Sequence, residues 1–143
     1  MNELARRGHE IRDWCRRLLV HPNYDARECG AYLLGQLATR HCLGEAEAAV
    51  VAELGALTQR PVEEDGKELQ AVDAAIRALG DIGNPAGIPF LRAVLFSDDK
   101  WLVGDCQWDT ADALGRLVGQ SFMKTTDPIA AARAWLKPRR IEN

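Results

Sequence analysis

The stretch AIRALGDIGNPAGIPFLRAVL, residues 75–95, decides how this chain folds. Ile76 and Leu79 continue a helical spacing that begins at Leu69 and Val72, so one face is apolar over residues 67–82. The pattern halts at Gly83-Asn84-Pro85 and resumes with Ile88, Leu91, Val94 and Leu95. Asn84 is suited to cap a new helix. Pro85 then stands at the first helical position, where its missing N–H is not needed. Pro89 must fall in the first turn, because deeper in a helix it would remove a hydrogen bond. The segment therefore reads as two helices joined by a break of a few residues.

The same grammar extends outward. A first helix is expected over residues 3–20, with Leu4, Ile11, Trp14, Cys15, Leu18 and Leu19 forming one stripe. His21-Pro22-Asn23 ends it. A second helix is expected over 25–39, and a third in EAEAAVVAELGAL, with Val50, Leu54 and Leu57 on one face. RPVEEDG, residues 60–66, reads as a loop. In TTDPIAAARAWL, Asp127 caps and Pro128 follows, with Ile129, Ala132 and Leu136 turned inward. Period-2 alternation is not found, so the chain reads as all-α.

Three windows align on a Leu-Gly pair: GAYLLGQLA at 30–38, AIRALGDIG at 75–83 and TADALGRLV at 110–118. Leu34-Gly35, Leu79-Gly80 and Leu114-Gly115 superpose, with Leu37, Ile82 and Leu117 two residues beyond each Gly. Self-similarity at this period is the mark of a helical solenoid. A Gly or Ala on one helix lets the backbone of its neighbour approach.

ALGDIGNPAGIPFLRAVL resembles a HEAT-like repeat of the short bacterial kind, also found in phycobilisome lyase subunits. In that family the first helix ends in Ala-Leu-Gly-x-Ile-Gly, and an Asx-Pro opens the second. The resemblance implies a short right-handed α-solenoid, all-α, of about three antiparallel helix pairs in a single domain over residues 1–143. The repeats would lie near 24–58, 67–97 and 105–137. Helix 3–20 would be an N-terminal cap, the remnant of a truncated preceding repeat. Each pair would need its neighbours to bury its apolar face.

The net charge of −3 over 143 residues conceals a division. Residues 1–20 carry +2, residues 41–119 carry −8 and residues 120–143 carry +3. Cys15, Cys29, Cys42 and Cys106 form no Cys-x-x-Cys pair. The chain has no apolar run of signal-peptide or membrane length. Thiols of this kind suit a reducing, cytoplasmic setting without a membrane.

Several constellations carry residue types with ligand or catalytic chemistry. His9-Glu10 resembles one of the several His-Glu pairs by which HEAT-like hydroxylases hold iron, and a single pair completes no such site. Cys29, His41 and Cys42 have ligand chemistry but no metal-site spacing. A catalytic Cys beside His41 lacks an orienting third group. Asp105, Asp109 and Asp112 share a helix face near Asp98 and Asp99; a wet surface or a basic partner suits them better than a cation. Trp14, Trp101, Trp108 and Trp135 are numerous for a short helical chain. Trp101, after Ser-Asp-Asp-Lys, is the one expected to be exposed, and it shares a face with Trp108 if one helix spans both. Arg6, Arg7, Arg12, Arg16 and Arg17 would suit phosphate, but an end helix of a solenoid needs a polar outer face in any case.

The expected function is a non-catalytic protein-interaction or scaffold module with no cofactor and no metal. Its second helices would line a concave face, where Glu45, Glu53 and Arg92 meet a protein partner. The acidic residues Asp98, Asp99, Asp105 and Asp109, with Trp101, would receive a basic segment. The alternatives are a subunit of a modification enzyme, bilin-lyase-like by resemblance, and a nucleic-acid binder.

Overall fold

The computed structural model describes residues 3–63 and 66–137. All regular structure among them is helical, in seven α-helices and three short 3₁₀ turns. The helices are α1 (Glu3–Leu18), α2 (Tyr24–Thr39), α3 (Glu47–Thr58), α4 (Leu69–Ile82), α5 (Ile88–Leu95), α6 (Asp105–Val118) and α7 (Pro128–Leu136). Parts of the 60–66 loop, the chain's last six residues and the Leu4 side chain lie outside the described set.

Local chemistry sets the boundaries. α4 ends where Gly83 adopts φ 72°, a left-handed conformation that costs glycine nothing, and its N–H bonds to the Leu79 carbonyl. The Asn84 side chain then accepts from the Ala86 N–H at 2.9 Å, opening the turn Pro85–Gly87 that leads into α5. Asn23 accepts from the Asp25 N–H at 2.7 Å, and Asp127 from the Ala130 N–H at 3.1 Å. Three helices or helical turns are thus capped by an Asx side chain.

α2, α4 and α6 contact one another in succession, and so do α3, α5 and α7; α1 packs on α2. One apolar core joins them, with Leu34, Leu54, Ile76, Leu79, Leu91, Leu95 and Leu114 at its centre. Glycine permits the closest approaches. A Cβ on Gly35 would stand 3.3 Å from Ala78, and one on Gly55 would strike the Phe90 ring at 2.3 Å. At Gly115 the neighbour is the chain's own Gln120 carbonyl, so the segment after α6 folds over that position.

The structure corrects one expectation and decides one that depended on helix length. α1 buries Arg12 and Cys15, and Leu19 just beyond it is buried too, whereas Ile11 and Trp14 are about half exposed. Among the described residues α1 packs mainly on α2, which leaves Ile11 and Trp14 partly uncovered. Trp101 and Trp108 do not share a helix: Gly104, at φ 98°, precedes α6, and only Trp108 lies within it.

Two long-range ion pairs fix the first helices. Arg27 is buried, its Nε donates to Glu68 Oε1 at 2.9 Å, and its Nη2 bonds to Glu68 Oε2. Burial pushes the Glu68 carboxyl up, but Arg27 and Arg60 together hold it below the ordinary carboxylate range. Arg16 forms a fork with Glu53, with both contacts at 2.8 Å, and so ties α1 to α3.

Candidate functional site

An open groove of about 850 Å³ is lined from α2, α4 and α6. Six carboxylates line it: Asp25, Glu28, Asp73, Asp81, Asp109 and Asp112. Two guanidiniums, Arg77 and Arg116, oppose them. Both are already engaged. Arg77 lies 3.0 Å from Asp73 and 3.3 Å from Asp109; Arg116 lies 2.6 Å from Asp81 and 3.9 Å from Asp112. Asp25 and Glu28 pair with no cation among the described residues. Ala74 and Ala78 also line it, and the exposed ring of Tyr32 adds apolar surface.

Asp73 is the most perturbed group in the groove. Burial is the main cause, and the neighbouring Asp109 adds to it; together they raise its carboxyl to about 7 despite Arg77. Its Oδ1 is buried without a hydrogen-bond partner. Such an oxygen is costly when ionised and less so when protonated. The adjacent Cys106 thiol, buried and facing Asp73, is pushed up to about 12. A thiol held protonated at neutral pH is a poor nucleophile.

The residues expected to meet a partner are scattered. Only Asp109 lies among the groove's lining residues. Asp105 is exposed in the first turn of α6, and Asp98 is exposed in the loop after α5. Asp99 is half-buried, and its Oδ1 accepts the Trp101 N–H at 2.9 Å, which shapes that loop. Trp101 is half-buried against Gly66, contrary to the expected exposure; Trp14 and Trp108 are the exposed tryptophans. The groove is lined by α2, α4 and α6, not by α3, α5 and α7. Glu45 and Glu53 answer Arg12 and Arg16, and Arg92 lies against Phe96. At Glu45 its own backbone N–H, then Arg12, lowers the carboxyl.

No group of three or more His, Cys, Asp or Glu among the described residues is arranged to hold a metal ion. No described helix is long and apolar enough to cross a membrane. Sequence reasoning missed Asp25, Glu28, Asp73 and Arg77 as groove residues. The Asp73–Arg77 pair, four apart on a helix, was the one available signal. Comparison with protein-family models, curated proteins and solved structures finds no match.

Proposed function

We propose that the chain is a non-catalytic interaction module that takes a basic segment of a protein partner into the groove between α2, α4 and α6. The observation that carries this reading is the groove's composition: six carboxylates against two guanidiniums, with both guanidiniums already bridging acid pairs. A Lys- or Arg-rich segment would meet unneutralised charge at Asp25 and Glu28 and apolar contact at Tyr32. Charge of this kind speeds encounter and fixes register more than it deepens affinity.

The scaffold we infer is a short right-handed HEAT-like solenoid of three antiparallel helix pairs behind the cap α1. Its support is the succession of contacts among α2, α4 and α6 and the close approach of Gly35 to α4 and of Gly80 to α6, two of the three aligned glycines. Such a stack gives a partner a continuous face built from several repeats. A reducing, cytoplasmic setting suits the buried thiols of Cys15 and Cys106.

The test is a titration of ¹⁵N-labelled protein with a synthetic lysine-rich peptide. Amide shifts should cluster at Asp25, Tyr32, Gln70, Arg77 and Asp112. Shifts confined to the 96–104 loop, or none at all, would overturn the assignment of the groove.

A further inference from the structure

Phe96 caps the C-terminus of α5 and leaves 38% of its surface exposed. Three cations gather over its ring. The Arg92 guanidinium lies 5.3 Å from the ring centroid, the Lys137 ammonium 5.7 Å and the Arg133 guanidinium 5.9 Å. Arg92 comes from the preceding turn of α5, Arg133 from α7, and Lys137 from the cap of α7.

Arg133 is held from beneath. Its Nε donates to the Leu95 carbonyl at 2.6 Å, and its Nη2 donates to Gln107 Oε1 at 3.4 Å. Gln107 is itself buried on α6, at 2% exposed. Its Nε2 reaches the carbonyls of Val94, Leu95 and Ser97 at 3.0, 3.4 and 2.9 Å. One buried amide therefore fixes both the end of α5 and the cation beside it.

Part of this charge has a local use, since the last carbonyls of a helix present about half a unit of negative charge. Three full positive charges exceed that several-fold. Cation–π contact at an exposed ring is a weak attraction, and the three cations repel one another. No carboxylate among the described residues forms an ion pair with Arg92, Arg133 or Lys137. By contrast, Arg16, Arg27, Arg77 and Arg116 each meet an acid.

We propose that this Phe96 patch is a second docking surface, one that takes a carboxylate-rich protein segment with an apolar side chain seated on the ring. Carboxylate oxygens would accept from the pre-positioned guanidiniums, the geometry that arginine serves best. The surface is built from α5 and α7, whereas the groove is lined from α2, α4 and α6, so the two stand or fall separately. A protein segment fits better than a nucleic acid. Beyond the patch, the net charge of −3 and the acidic groove repel a long polyanion.

The experiment uses the full ¹⁵N-labelled chain and three probes: a ten-residue peptide of glutamates around a central Leu-Leu pair, its glutamine counterpart, and a ten-nucleotide single-stranded oligothymidylate. The glutamate peptide should shift the amides of Phe96, Ser97, Gln107 and Lys137, less so as salt rises, and the glutamine peptide should not. Arg92→Gln with Lys137→Gln leaves both Arg133 hydrogen bonds in place and should weaken binding roughly 2- to 30-fold, as the loss of two exposed pairs implies. Arg92→Lys with Lys137→Arg, which keeps both charges, should restore most of it. The proposal is overturned if the glutamate peptide leaves those amides unmoved, if the glutamine peptide moves them equally, or if the oligonucleotide binds there more tightly.

Discussion

Gly80 of α4 sits so close to Ala113 of α6 that a Cβ on it would meet the Ala113 Cα and Cβ at 3.0 Å. The equivalent glycine in the first aligned window, Gly35, stands against Ala78 of α4 in the same manner. The approach of these helices depends on a missing side chain. Gly80→Leu should therefore force α4 and α6 apart and cost about 1–3 kcal/mol, as overpacking of a tight interface does. Urea denaturation of the variant should show a lower midpoint. An unchanged midpoint would place Gly80 away from any neighbour.

The Arg27–Glu68 pair makes an asymmetric prediction. Removing Arg27 leaves Glu68 with Arg60, whose Nε lies 2.8 Å away. Removing the Glu68 charge strands a guanidinium whose side chain is only 6% exposed, with the His21 carbonyl as its remaining partner. Loss of one member of a buried pair costs about 3–5 kcal/mol. Glu68→Gln should approach that range, and Arg27→Met should cost distinctly less. Equal denaturation midpoints for the two variants would contradict this account of the pair.

Asp73 predicts an unusual pH dependence. In the folded chain its carboxyl is raised to about 7, against an ordinary value of 3.8. Between those values the folded state holds a proton that the unfolded state has lost, so stability falls as pH rises. The stabilising contribution is complete below about 3.8 and is lost as pH climbs through about 7. Asp73→Asn imitates the neutral acid and should remove that slope, making the variant the more stable of the two at pH 8. Parallel stability curves from pH 5 to 8 would show that Asp73 ionises freely.

Much of the helical order was legible because its signals are local. Asn84-Pro85 and Asp127-Pro128 each mark a start within three residues, and Gly83 marks a stop. The groove was not legible, because its ion pairs join distant residues. Arg77 meets Asp109 across 32 positions, and Arg116 meets Asp81 across 35. A charge count over residues 41–119 finds the excess of acid. It does not tell which acids are neutralised, as Glu53 and Glu68 are, and which face open space, as Asp25 and Glu28 do. Periodicity likewise found the apolar stripe of α1 but not that Ile11 and Trp14 are left about half exposed.

The central claim is that a basic segment docks in the groove, and association kinetics test it most directly. A lysine-rich peptide is mixed with the wild type, with a groove variant (Asp25→Asn, Glu28→Gln, Asp112→Asn) and with a loop variant (Asp98→Asn, Asp105→Asn), across a series of salt concentrations. All five positions are surface carboxylates, so neither variant disturbs the core. The groove variant should associate more slowly than the wild type and show a flatter salt dependence, with dissociation changed less; the loop variant should follow the wild type. Equal rates and equal salt slopes for the groove variant and the wild type would contradict the account.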